Sequence, residues 1–162
     1  MSQGGKRDAS WVADRVVAHL KADLPAKLTS LTTEYNDGIT LANIPAANYV
    51  ISERQKLPGF PMIAVIQDDT DISDDGEFRY HIERHRMTVA VALMDNIDED
   101  NLVRRTHRTL RGIEEVFLDD RTLNGSVVDV RCLNKSYASL MAAGNGLLKE
   151  GQLEIEAMTS IP

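Results

Sequence analysis

The sequence predicts an α+β fold: a mixed, mainly antiparallel sheet, two main helices packed on one of its faces, and a projecting β-hairpin. Three observations carry this expectation. Apolar residues recur at helical spacing over residues 10–34 and again over 98–118. Between them, Met87, Val89, Val91 and Leu93 alternate with Thr88, Ala90 and Ala92, the period of a strand. The element order is helix, loop, hairpin, helix, hairpin, which sets both helices against one sheet face.

The first helical stretch is SWVADRVVAHLKADLPAKLTSLTTE, with Ser10 as the expected N-cap. Ala13, Val16, Val17, Leu20 and Leu24 form its apolar face. Pro25 removes a backbone donor, so a kink or restart is expected there, with Leu28 and Leu31 extending a second stripe. Residues 35–61 have no dominant period. Asn36-Asp37-Gly38 and Leu57-Pro58-Gly59-Phe60-Pro61 are turn signals, and YVIS at 49–52 suits a short strand. So long an irregular stretch implies a binding loop or an arm ordered by a partner.

MIAVIQ, residues 62–67, is an apolar run of strand length. DDTDISDDGE, residues 68–77, then holds six acidic residues in ten. A calcium loop needs a central Gly and a terminal Glu between two helices. Here Gly76 falls late and both flanks read as strands, so a solvated hairpin tip is expected.

RYHIERHRMTVAVALMD, residues 79–95, raises the question of a metal site. Its alternation puts His81, Glu83 and His85 on the face of Val89. On a strand, His81 and His85 stand about 13 Å apart. One ion with bonds of about 2.0–2.1 Å cannot join them. On a helix they would converge, but the zincin pattern needs Glu immediately after the first His, where this chain has Ile82. A long strand is the expected structure, apolar at one end and charged at the other. Arms that carry main-chain groups beyond a core commonly meet another chain. Arg79, His81, Glu83, Arg84, His85 and Arg86 are therefore candidate intersubunit or partner contacts.

DEDNLVRRTHRTLRGIEEVFL, residues 98–118, is the clearest helix, with acids at its start where the helix dipole favours them. Leu102, Thr106, Leu110, Ile113 and Phe117 make the buried stripe; Arg104, Arg108, Arg111 and Glu115 fall opposite. Asp100–Arg104 and Arg111–Glu115 are spaced as ion pairs. RRTHR suits a phosphate-binding patch or a solvated, salt-bridged face, and Arg104 and Arg108 join the candidate contacts. Asn124-Gly125 turns the chain into SVVDVRCL, 126–133. SYASLMAAG, 136–144, reads as a bulged continuation, and QLEIEAMT, 152–159, as a closing strand.

Composition narrows the function classes. The chain has 162 residues, of which 43% are hydrophobic and 5% aromatic. One domain at 10–162 behind a flexible arm at 1–9 is expected, burying roughly two-thirds of its unfolded-chain surface. A net charge of −7 opposes free binding of nucleic acid. Cys132 is the only cysteine, so neither an intrachain disulfide nor a Cys-based zinc site can form, and a small buried hydrophobe is expected. No apolar run approaches the roughly 20 residues of a membrane span. No secretory pattern opens the chain, and a reducing, intracellular site of synthesis is expected. There is no Gly-rich phosphate loop, no GxSxG elbow and no CxxC, and the four histidines, His19, His81, His85 and His107, do not converge on a nucleophile. Neither a catalytic residue nor a cofactor is assigned.

Several passages together resemble the small tail-terminator and tail-completion proteins of long-tailed bacteriophages. These are VVAHLKADLP in the first helix, PGFPMIAVI leading into the first core strand, YHIERHRMTVAVAL, LVRRTHRTLRGIEEVF, GSVVDVRCL and LEIEAMT. The resemblance covers nearly the whole chain as a pattern, without a catalytic signature. It implies a mixed sheet with helices packed on it and assembly as a hexameric ring. Such a ring caps the tail tube, stops its polymerisation and meets the head-side neck, with DNA only as transiting cargo. It implies a virion protein at the tail–neck junction, made in the host cytoplasm, with tail tube protein and a neck or connector protein as partners. A head-proximal connector of the same neck, a metal-dependent hydrolase using His81, Glu83 and His85, and a ligand-binding domain are the alternatives.

Overall fold

The computed structural model of the protein describes residues 8–51, 58–75, 80–95 and 98–161. The first helix, α1, spans Ala9–Tyr35. Its N-cap is Asp8, two residues before the expected Ser10: the Asp8 carboxylate accepts from the Trp11 N–H at 2.9 Å. A carboxylate satisfies this orphan donor and meets the positive end of the helix dipole. The expected arm at 1–9 lies outside the described residues up to residue 7, and Asp8 and Ala9 begin the helix. Contrary to the expected restart, α1 continues through Pro25. The lost donor and ring clash cost about 3 kcal/mol. Leu20, Leu24, Leu28 and Leu31 are all buried, each worth roughly 1.5–3 kcal/mol, so packing outweighs the break. Asn36 ends α1 in the left-handed region at φ 44° and donates its N–H to the Thr32 carbonyl, and Gly38 completes the turn at φ 82°.

After a single 3₁₀ turn at Ala46–Asn48 come the strands β1 (Tyr49–Ile51), β2 (Met62–Asp75) and β3 (Tyr80–Asp95). Helix α2 (Glu99–Asp119) follows, then β4 (Asp129–Tyr137), β5 (Met141–Ala143) and β6 (Gly146–Ile161). The sheet order is β1-β2-β3-β6-β4, with β5 also paired to β6. Among the described residues, β1 and β2 are parallel and every other pair is antiparallel. The chain is thus an α+β fold with a mixed, mainly antiparallel sheet.

Period two decides the faces. Ile63 and Val65 of β2, Met87, Val89, Val91 and Leu93 of β3, and Leu153, Ile155 and Ala157 of β6 are buried beneath the helices. From α2 come Leu102, Leu110, Ile113, Val116 and Phe117, and from α1 the leucine stripe. Gly151 lets α2 sit close on β6: a Cβ there would stand 3.3 Å from the Leu110 side chain. The other sheet face carries a smaller cluster of Val50, Met62, Ala64 and Ala90, with Phe60, Ile66 and Ala92 against it.

Two expectations about the hairpins change. Residues 68–75 are not a solvated tip but the outer half of β2. Beyond the bulge at Asp68, Asp69, Asp71, Asp74 and Asp75 each have a register partner in β3, and the Asp69 and Asp71 carboxylates face Arg86, which relieves the repulsion that would otherwise break the strand. The closing strand begins at Gly146, six residues earlier than expected, and β4 starts at Asp129 with a bulge between Cys132 and Asn134. The result is a three-stranded arm. Burial on the helix side runs out to His85 and Thr159. Beyond them His81 is exposed and Ile72 is 68% exposed. At about 3.3 Å per residue, β3 is roughly 50 Å long.

Candidate functional site

The root of the arm is built around one imidazole. His85 sits in β3 opposite Thr70 of β2, with Ala157 of β6 on its other side. Its Nδ1 lies 3.0 Å from the Thr70 hydroxyl and its Nε2 3.2 Å from the Thr159 hydroxyl. The ring therefore ties all three strands together, which is why a polar residue is tolerated at 1% exposure. Burial pushes the His85 pKa down, against the opposing pull of the Glu83 carboxylate, 3.4 Å from Nε2, and of Asp8 at the start of α1. His85 is thus an internal brace of the arm and not an exposed contact.

The pH consequence follows from that direction. The folded ring takes a proton less readily than the unfolded one, so the unfolded state binds more protons as the solution acidifies. The contribution is present above the unfolded pKa of 6.5 and is lost as pH falls through it toward the lower folded value. His107 is shifted the same way, by burial first and Lys149 second. Melting temperature is expected to fall between pH 7.5 and 5, measured by circular dichroism. His85→Leu should flatten that slope, and should cost about 1–3 kcal/mol at neutral pH because two threonine hydroxyls lose their partner.

The other candidates divide into three groups. Arg86, on the open sheet face, is surrounded by carboxylates: Asp69 at 3.7 Å, Asp71 at 3.4 Å and Glu156 at 3.7 Å. Arg84 donates to the Ser73 hydroxyl at 3.1 Å. Both brace β2 against β3, and Arg86 remains about half exposed. Glu83 is partly exposed beside His85, and His81 lies further out on the same strand. Arg79 lies outside the described residues.

On α2, Arg104 is exposed. Arg108 does not join it on a solvated face. Its guanidinium makes two bonds to Asp37, at 2.9 and 2.6 Å, and lies 3.9 Å from the Tyr35 ring centroid. The hydrogen bonds from Arg108 hold the Asp37 carboxyl down at about 2. Arg108 pins the turn after α1 onto α2. Sequence spacing could not reveal this, because the partners are 71 residues apart. The same holds for Thr70 and Thr159 around His85. The Arg111–Glu115 pair is present at 2.9 Å.

Among the described residues, no group of three or more His, Cys, Asp and Glu could hold a metal ion. Burial pushes the Cys132 thiol up to about 11, which leaves little of the reactive thiolate at neutral pH. No described helix is long and apolar enough to cross a membrane.

What the arm does present is strand edge. β1 covers β2 only at Ile63–Val65, and among the described residues no strand lies beyond β2 from Ile66 outward. The opposite edge is β4 and β5. Four of the exposed large apolar side chains lie on or beside it, Val128, Leu133, Tyr137 and Met141.

Fold and surface together define an α+β protein with a braced, charged strand arm. No family model matches the chain, and no curated protein matches it. One solved structure, described as the virion of a native gene transfer agent (GTA) particle, is similar over 88% of this chain and 95% of the matched chain. The identity is 11% and the TM-score 0.37, a likeness too low to carry an argument, so the functional reading rests on the surfaces above.

Proposed function

We propose that the protein is a non-enzymatic structural component of a virion that assembles as a ring, capping a phage tail tube and joining it to the head-side neck. The observation that carries this reading is the three-stranded arm. Its strands are held at the root by His85 and Arg86 and run on past the helix layer, and the outer edge of β2 has main-chain groups to offer another chain. A solvated hairpin has little need of a buried histidine at its root. The sequence resemblance to tail terminators supplies the particular role, with tail tube protein and a neck or connector protein as partners and DNA as passing cargo. A net charge of −7 suits a channel wall that does not retain phosphates.

The test is the mass of the purified protein by light scattering after size exclusion, with negative-stain images of the peak, alone and after mixing with tail tube protein. A ring of about six copies that shortens growing tubes is the expected result. A ring of another number that ignores tube protein would point to the head-proximal connector. A protein that stays monomeric in both conditions overturns the reading.

A further inference from the structure

We propose that the outer edge of β2 in one copy pairs with the outer edge of β4 in the next, so that the sheet continues from subunit to subunit. This rests on the ring reading above and names the two surfaces that would close the ring.

Among the described residues both edges end the sheet, one on each side. Each therefore carries a row of main-chain donors and acceptors facing outward. Their charges are complementary. From Ile66 to Asp75, β2 contains five aspartates and no basic residue. The Asp69 and Asp71 side chains are 55% and 59% exposed. On the other side, Arg121 and Arg131 share the single Asp129 of β4, leaving one cation in excess there, while Lys135 further along pairs with Glu114 of α2. Arg121 and Arg131 are both more than half exposed.

These charges select the mode of association. Two β2 edges brought together would set aspartate against aspartate, which disfavours a two-fold dimer through that edge. Acid-rich β2 against base-bearing β4 is attractive, and it is head-to-tail. A heterologous contact of this kind repeats until it closes as a ring or runs on as a filament. Exposed apolar side chains accompany the charge on both edges: Ile72 on β2, and Val128, Leu133 and Tyr137 along β4. The bulges after Gln67 in β2 and after Cys132 in β4 limit the added ladder to short regular stretches, 69–75 on one side and 129–132 or 134–137 on the other.

A charge swap tests the pairing. One variant is Asp69→Lys with Asp71→Lys; the other is Arg131→Glu. Each alone is expected to raise the subunit dissociation constant by about tenfold or more, read by sedimentation velocity, with a native near-ultraviolet circular dichroism spectrum as the check on folding. Mixed in equal amounts, the two should recover the wild-type ring, since alternating copies restore opposite charges at every interface. Leu133→Asp, which leaves the ion pairs intact, should weaken the ring in the same way. A wild-type ring whose mass is unchanged in all three variants overturns the edge assignment and leaves the ring reading standing. Weakened single variants that fail to recover on mixing also overturn it. A wild-type protein that stays monomeric, with and without tail tube protein, overturns both.

Discussion

Phe117→Ala is expected to destabilise the protein by about 3–5 kcal/mol, the range for emptying a large aromatic site in a core. Phe117 lies in the last turns of α2 and is fully buried. Its ring stacks against His19 of α1, centroids 6.4 Å apart. Both helices therefore lose contact at once. His19 is also buried, and its Nε2 has no hydrogen-bond partner. Removing the phenyl ring leaves that polar atom beside a void, so collapse onto the site is poorly compensated. For a chain of this size the loss corresponds to roughly 8–15 °C in melting temperature. Chemical denaturation should show a lower midpoint with an unchanged slope. A loss below about 1 kcal/mol would mean that the helix pair is not seated as described.

The second large effect is at Gly112, and it depends on size. Here α2 crosses α1: a Cβ on Gly112 would lie 3.2 Å from the Leu28 side chain, 3.3 Å from Leu31 and 3.5 Å from Leu24. The leucine tips can move by a few tenths of an ångström. Gly112→Ala also gains about 1 kcal/mol of helix propensity, so the two terms nearly cancel and little change is expected. Gly112→Val adds two more carbons where Leu28 and Leu31 already stand. It should cost about 1–3 kcal/mol from overpacking, with the valine's restricted rotamers adding to it. Thermal melts of the two variants side by side check this. If Ala proved as damaging as Val, the close contact would involve rigid backbone and not flexible side-chain ends.

The candidate surface was only half legible before the fold was known. Alternation from Met87 to Leu93 located β3, and extending it backward correctly placed His85 on the face of Val89. It could not say that this face was still covered at His85. That depends on Thr70 and Thr159, 15 and 74 residues away, and on the first residues of α1. The acidic run at 68–77 read as a tip because aspartate disfavours strands locally. Over 69–75, pairing with β3 and the Arg86 cluster reverse that preference. Arg108 read as solvent-facing because helical spacing sees only its own helix, whereas Asp37 and Tyr35 reach it from the turn after α1.

What the sequence determined by itself was local and periodic. It set the two helices, the alternating strands, the turns at Asn36–Gly38 and Asn124–Gly125, and an α+β order of elements, because each follows from side chains within a few positions of one another. The tertiary structure decided the rest. It carried α1 through Pro25, since four buried leucines outweigh one missing donor. It turned an acidic run into the outer strand of an arm and buried His85, a candidate partner contact, as a brace at that arm's root. It left the β2 and β4 edges at opposite sides of one sheet. Those outcomes depend on which distant groups meet, and burial energy and hydrogen bonding between remote strands settle that.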